Sequence, residues 1–516
     1  MSANPWAQSK LTFWLASLLL PPLGFVLLWK RPGLGVLAKL GGSMIMLLFA
    51  VGHLVFVWGL RFELDGSATR PIFMFGSRAG HYELIERDRA AQAVEPPDEP
   101  AAVAPAVAPE PPAALAAVAP DSPDQDTPAP AAKSVSAYWT DYRGPGRDGR
   151  YQQTPILISW PGGKLPELWR RPIGEGYASF VVAGGVAFTI EQRREQEVVA
   201  AYGMDDGREL WTNSWRARFE ESMGGPGPRA TPTWHNGRVY ALGAEGELRS
   251  IDAATGETRW RVNILEDNGA SNLSWAMAAA PLIVDDAVVA LPGGSRGRSV
   301  VAYQKETGRR MWSALDDEQA YTSPMLVHLD GRRQLLVVTK ERAVGLVPED
   351  GTLLWEYRWS TSYGVNAAQP LIVDGNRFFI SAGYGHGAAL VEVRDGKART
   401  VWESTRMKNK FSSSVLHEGH VYGLDEAILA CIDVATGELK WKGGRYGYGQ
   451  LLLADGHLIV TTERGDVALV KASPESHQEI ARFSAIDGKT WNTPAISDGR
   501  LLVRNTREMA CYRIAP

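Results

Sequence analysis

Few stretches of this chain carry residue types at a spacing that could do chemistry, and each can be weighed on local grounds. Gly293-Gly294-Ser295-Arg296-Gly297-Arg298 and Gly383-Tyr384-Gly385-His386-Gly387 have the glycine density of a phosphate cradle. Neither is followed by a helical pattern whose N-terminal amides would complete an anion site, so both read as hairpin turns. His417 and His420 are three apart, which on a continuous strand puts them on opposite faces and argues against a shared metal. The acidic runs 203–206 and 315–318 read as solvated turns rather than paired catalytic carboxylates. Nothing local marks a Ser/His/Asp nucleophile. No catalytic or metal-binding residue is therefore nominated. The chain has two cysteines, Cys431 and Cys511, at matching places in the segments LACID and MACYR; they lie two repeats apart, so no bond between them is expected.

Those matching segments belong to a repeat that organises most of the sequence. Its clearest copy runs from Ser250 to Trp260 (SIDAATGETRW), and related copies end at Trp211, Trp312, Trp355, Trp402 and Trp441. A degenerate copy ends at Phe483, and a lone strand, LPELW, ends at Trp169. Successive ends lie 39 to 52 residues apart, the period of a four-stranded propeller blade. In each copy an alternating strand enters a Thr-Gly or Asp-Gly turn, where glycine supplies the positive φ of a tight hairpin, and the next strand ends in a tryptophan suited to packing between blades. After Phe483 the chain supplies only three more strands. Lending LPELW to the last blade closes the ring and leaves no open edge. The prediction is an all-β, eight-bladed propeller over residues 136–516, with Trp169, Trp211, Trp260, Trp312, Trp355, Trp402 and Trp441 as docking residues.

Aligning the repeats on the glycine of the first hairpin (Gly185, Gly237, Gly419, Gly456 and Gly499 among them) identifies the innermost strand of each blade. One register position holds Ser179, Thr231, Ala280, Ser323, Gln369, Ser413, Gln450 and Thr493, small or polar residues that suit the crowding near a propeller axis. Two residues earlier stand Tyr177, Arg229, Ala278, Tyr321, Ala367, Phe411, Tyr448 and Trp491. Strand neighbours two apart share a face. Tyr177, Arg229, Tyr321, Phe411, Tyr448 and Trp491 are therefore candidates for a partial ring at one mouth of the channel, suited to stacking on a ligand or an inserted side chain. Filling gaps between blades is the competing explanation of the same residues.

The N-terminal region is of another kind. Residues 11–29 and 40–60 are uncharged over 19 and 21 positions, long enough to span a bilayer, and residues 1–60 are expected to form a two-helix transmembrane hairpin. Lys30, Arg31 and Lys39 in the connection place it in the cytoplasm and the propeller on the far side, extracytoplasmic or periplasmic. Residues 61–90 are a mixed juxtamembrane segment with room for a short hairpin. Residues 91–135 are Ala/Pro-rich and cannot bury enough apolar surface to fold; as a tether they could hold the propeller on the order of 100 Å from the membrane. The net charge of −4 gives no electrostatic reason to expect nucleic acid.

The pattern Ala-x-Asp-x-x-Thr-Gly-x-x-x-Trp, met by SIDAATGETRW and CIDVATGELKW, resembles the tryptophan-docking motif of pyrroloquinoline quinone (PQQ)-like propellers. Tyr142-Arg143-Gly144-Pro145-Gly146-Arg147-Asp148-Gly149 resembles the W-R-G-P-x-R-D-G segment that precedes many of these repeats. The resemblance implies either of two functions. Quinoprotein dehydrogenases of this family hold PQQ and Ca²⁺ over the channel, and their alcohol dehydrogenase branch carries adjacent cysteines in a vicinal disulfide. Here no two cysteines are adjacent and every repeat is compact. The non-enzymatic branch, with the propeller lipoprotein of the outer-membrane assembly machinery, is the nearer match. The expected function is a membrane-anchored, non-catalytic scaffold of the cytoplasmic membrane that binds a protein or an envelope polymer, with no cofactor. The alternative is a PQQ- and calcium-dependent dehydrogenase.

Overall fold

In a computed structural model of the chain, the structure describes residues 21–31, 33–74, 76–94 and 138–516. Residues 138–516 form eight β-sheets in a ring, seven of four strands and one of five, together with a small two-stranded ribbon, Glu220–Glu221 with Gly225–Pro226. We number the blades from the first complete one: 181–216, 233–263, 282–314, 325–358, 371–404, 415–445, 450–484, and an eighth built from 495–513 together with Glu167–Pro172. The eighth is the predicted closure: the strand carrying LPELW pairs antiparallel with Glu508–Arg513, bringing Trp169 opposite Cys511. Blade 7 gains its fifth strand from Arg150–Tyr151, parallel to Gln450–Ala454.

The repeat explains how the blades lock together. In seven of the eight, the pairing between the third and outermost strands shifts register at the residue just before the repeat's tryptophan, and in blade 7 the shift falls just before Ala481, two residues ahead of Phe483. A bulge there increases the local twist at the strand that carries the repeat's aromatic. Trp211 donates its indole N–H to Ala253 O at 3.0 Å, and its ring lies where a Cβ on Gly256 (φ 75°) would be. Only glycine serves there, both for its left-handed backbone and for the close approach of the ring. Trp169, Trp260, Trp312 and Trp402 make the same bond to Met204, Lys305, Pro348 and Val434 of the following blade, and Trp441 bonds to Ser473.

Trp355 departs from the predicted docking. Its indole N–H donates to Gln334 Oε1 within its own blade, and its ring stacks on Phe378. The reason is local: blade 5 turns in two residues, Arg394 pairing with Lys397, so it lacks the longer loop on which the other rings rest.

Cys431 and Cys511 are free and buried. Burial pushes both thiols up to about 12, leaving them protonated and inert.

Helix α1, Pro21–Lys30, and helix α2, Val36–Phe56, pack together through Leu28 on Gly42 and a 2.9 Å bond from Trp29 Nε1 to Ser43 Oγ. The rest of the first expected span lies outside the described residues. Among those residues α2 alone is long and apolar enough to cross a membrane. It occupies 36–56 rather than 40–60. Lys39 does not end it, because the long stem lets the ammonium reach Trp29 O at 3.1 Å.

The juxtamembrane segment is more than the sequence indicates. Strands β1, Arg61–Leu64, and β2, Pro71–Met74, form a hairpin, and helix α3 follows over Arg78–Val94. Both rest on the propeller. Helix α3 buries His81, Tyr82, Ile85 and Gln92; His81 Nε2 bonds Ile173 O at 2.8 Å, the Glu209 N–H donates to Gln92 Oε1 at 2.9 Å, and Tyr82 O–H donates to Glu175. Ion pairs Arg89–Glu209 (2.6 Å) and Arg171–Asp88 (3.2 Å) flank these contacts. The linker expected over 91–135 therefore does not set the distance from α2 to the propeller; that distance is set by the docked residues 61–94. From 95 to 137 the expected linker lies outside the described residues.

Candidate binding site at the mouth of the channel

The innermost strands of neighbouring blades touch, and the small or polar register position forms a hydrogen-bonded belt between them. Ser179 N–H donates to Thr231 Oγ1 (2.9 Å) and Ser179 Oγ to Thr493 O (2.6 Å), which joins blade 1 to blade 8. Ala280 N–H donates to Ser323 Oγ and Gln369 N–H to Ser413 Oγ, each at 2.9 Å. Packing is thus the right explanation of these residues.

On one side of the belt the channel is sealed by residues 138–151. Arg147, 3% exposed, spreads its guanidinium over Pro324 O (2.9 Å), Ala280 O (3.3 Å), Pro281 O (2.5 Å), Thr233 Oγ1 (3.3 Å) and Asp141 Oδ1 (2.9 Å). Arg143, fully buried, donates to Ser414 O (2.8 Å) and Leu451 O (3.3 Å). Two arginines of the R-G-P-G-R-D-G segment therefore pin blades 2, 3, 4, 6 and 7. Burial lowers the Arg143 pKa. The sequence showed the motif without its task, since the acceptors are main-chain carbonyls that leave no trace in residue type.

On the other side the aromatic register position opens into a cavity of about 210 Å³ floored by Gln450 and Thr493, with Tyr142 of the plug also in its wall. Tyr177, Arg229, Tyr321, Phe411 and Trp491 all line it. Tyr448 stands beside them, its ring 5.9 Å from Phe411. A run of rings, Tyr177–Trp491 (5.4 Å) and Trp491–Phe411 (4.7 Å), makes one wall. Tyr321 lies against Trp275 (5.7 Å) instead. Register alone placed these residues together, because the ring of blades repeats each strand position around one axis. Trp275, Tyr384 and Lys410, also in the wall, come from loops or from a position next to the ring, and no periodicity marks them.

The electrostatics are those of a half-neutralised cationic rim. Lys489 Nζ sits 4.2 Å over the Trp491 ring, and Lys410 Nζ 4.9 Å over Tyr448 and 5.3 Å over Tyr384, in cation–π contact. Arg229 lies 5.4 Å over Tyr177 and pairs with Glu221 at 3.1 Å; burial lowers its pKa. Burial raises the Tyr321 phenol to about 12. Glu463 accepts the Trp491 indole N–H at 2.9 Å.

These carboxylates do not fit a calcium-held quinone. Glu221 is occupied by Arg229 and by the N–H groups of Met223 (2.6 Å) and Gly224 (2.5 Å), and Glu463 by Trp491 and by the Gly66 N–H (2.6 Å). Among the described residues no three His, Cys, Asp or Glu side chains converge as metal ligands. His417 and His420 need one correction. They face each other across a two-residue hairpin rather than lying along one strand, and burial holds the His417 pKa down. The two glycine-rich segments are turns, as expected: Gly294 bridges Arg298, and residues 383–386 join strands Arg377–Ala382 and Gly387–Arg394.

Comparison with known proteins agrees with this architecture. A family profile described as outer membrane protein assembly factor BamB matches residues 194–443. The chain is a PQQ-like β-propeller that resembles BamB. BamB of Burkholderia pseudomallei (strain K96243) is 23% identical over 362 residues, 66% of this chain and 83% of that protein. Quinohemoprotein alcohol dehydrogenase ADH-IIG of Pseudomonas putida is 35% identical over 122 residues, 22% of this chain and only 16% of that enzyme's length. The crystal structure of BamB from Moraxella catarrhalis superposes with a TM-score of 0.51 at 16% identity, covering 68% of this chain and all (100%) of that one. The Pseudomonas putida HK5 ADHIIG structure gives 0.55 at 15% identity, covering 73% and 80%. These structural likenesses establish the fold alone.

Proposed function

We propose that the protein is a membrane-anchored, non-catalytic scaffold that holds a protein partner at the aromatic mouth of its propeller, as part of an envelope assembly complex and without a cofactor. The observation that carries this reading is the asymmetry of the channel: one end is filled by buried arginines, the other presents a run of tilted aromatic rings and a cationic rim around a cavity of about 210 Å³. Rigid aromatic surface with adjacent cations is the composition that concentrates binding energy at protein interfaces. The similarity to a protein named as an outer membrane protein assembly factor supports the same class of work. Helix α2 is the proposed anchor, in the cytoplasmic membrane, with the propeller on the extracytoplasmic side.

The test is photo-crosslinking in cells from position 321 or 491, with and without Tyr321→Ala and Trp491→Ala introduced at the other position. Site-specific adducts to one protein, lost in the substituted chains while the melting temperature stays within a few degrees, support the reading. Loss of stability with adducts intact refutes it. The short quinohemoprotein match motivates one competing assay, dye reduction with alcohols or sugars after addition of PQQ and Ca²⁺; turnover there would replace the scaffold reading.

A further inference from the structure

The mouth already holds a peptide, and that peptide belongs to this chain. The β1–β2 hairpin reaches the rim through residues 63–66. Glu63 Oε2 lies 2.6 Å from Lys489 Nζ, and the Lys489 side chain is only 1% exposed. Gly66 is gripped from both sides: its N–H donates to Glu463 Oε1 at 2.6 Å, and its carbonyl accepts from Lys410 Nζ at 2.7 Å. Its α-carbon lies flat on Tyr448, where a Cβ would come within 2.3 Å of the ring, so no other residue fits. The turn itself is prearranged. Asp65 Oδ1 accepts from the Ser67 hydroxyl (2.5 Å) and from the Ser67 N–H (3.1 Å), and Asp65 N–H donates to Arg70 O (2.9 Å). Although partial burial opposes its ionisation, the Ser67 and main-chain hydrogen bonds hold the Asp65 carboxyl below its usual range.

The fit is chemically specific and sterically incomplete. A buried lysine ammonium demands a carboxylate, and the two bonds to Gly66 read main chain rather than side chain. Yet among the described residues Gly66 is the sole hairpin residue that lines the cavity beneath. A cavity of about 150 Å³ can hold benzene, so one of about 210 Å³ can take an apolar side chain that the described residues of the hairpin do not supply. A ligand with the same turn plus such a side chain would bind better than the resident.

Resting on the scaffold reading above, we propose that the mouth is a receptor for an acidic, glycine-containing β-turn of the type Glu-x-x-Gly presented by a partner protein, and that residues 61–74 are its resident, displaceable occupant. The hairpin is tethered beside its site at an effective concentration on the order of millimolar. It lowers the apparent affinity for a partner by the fraction of time the mouth is covered. Partner binding and release of the juxtamembrane segment would then be the same event.

The experiment uses the full chain in detergent and, as probe, a disulfide-cyclised fluorescent peptide with the sequence of residues 61–74, because an isolated hairpin is marginally stable. Binding is read by anisotropy to the unmodified chain and to the Gly66→Ala chain, with hydrogen exchange reporting whether residues 61–74 have been released. The expected result is faster exchange confined to that segment and at least tenfold tighter peptide binding in Gly66→Ala. That gain should vanish when Lys489→Met is added, or when the peptide itself carries Glu63→Gln. If Gly66→Ala does not fold, Glu63→Gln in the chain serves as the second opening variant. Release of the segment without tighter binding overturns the proposal, as does unchanged exchange. Crosslinks from position 321 or 491 that persist in cells under those outcomes would leave the mouth a binding site and remove only the turn chemistry.

Discussion

The two ends of the channel are closed by different physics. At the plugged end, Arg143 and Arg147 are buried and their donors end on main-chain carbonyls of four blades and on the Thr233 hydroxyl of a fifth. Removing either guanidinium would strand several acceptors at once, so the plug is part of the fold. At the other end the cover is a two-stranded hairpin held, among the described residues, by the Glu63–Lys489 ion pair, hydrogen bonds to both sides of Gly66 and its contact with the Tyr448 ring. Each of those can be exchanged for an equivalent contact from another molecule. One closure stabilises the ring; the other regulates access to it.

The largest effect is expected from Arg147→Ala. Five acceptors lose a charged donor, four of them main-chain or side-chain oxygens with no other donor among these bonds and the fifth, Pro281 O, retaining only the Thr233 hydroxyl, and breaking such a network costs about 3 kcal/mol or more. Equilibrium unfolding in urea should show it, and a loss below about 1 kcal/mol would mean the plug is not structural.

Next in size is Glu197, within electrostatic reach of Arg229. One oxygen accepts the Ala244 N–H at 2.8 Å and the other has no partner. Burial raises its pKa from 4.5 to about 7. The native state thus keeps a proton that the unfolded chain releases near 4.5, so this group costs stability as pH rises from 4.5 to 7, and the cost is constant above. Glu197→Gln should leave stability unchanged below pH 4.5 and raise it by up to about 3 kcal/mol at pH 8. A pH-independent difference between the two proteins would refute the assignment.

A smaller effect is expected at the hairpin. Glu63→Gln removes the charge facing Lys489, weakening a charged contact by about 1.4 kcal/mol, a tenfold rise in opening. Exchange of the amides of residues 61–74 measures it, and an equal rise in the blades would show that the hairpin is not an independent unit. Smallest is the response of α3 to salt. Its outer pair, Arg194–Glu86 at 3.0 Å, is half exposed on both partners, so raising ionic strength should shift α3 exchange by only a few tenths of a kcal/mol. A larger shift would mean that ion pairs, and not the buried His81, Tyr82 and Ile85, hold the helix.

The tryptophan repeat, the closure through Trp169 and the grouping of Tyr177, Arg229, Tyr321, Phe411 and Trp491 around one cavity could all be read from spacing. Trp355 could not, because the two-residue turn of the next blade deprived it of its seat. The histidine pair was misplaced for a related reason: a three-residue spacing looks the same along a strand and across a hairpin.

The ring follows from the order of the amino acids alone, because a repeated unit that buries its faces only against its neighbours must stack until it closes, and the period sets the register of every inner strand. What closes each end of that ring is settled by the folded chain in three dimensions. The plug bonds to carbonyls that every residue possesses, and the hairpin meets Glu463 and Lys489 some four hundred positions along the chain. Contacts of that kind depend on where the folded chain returns in space, and no local pattern of residue types records it.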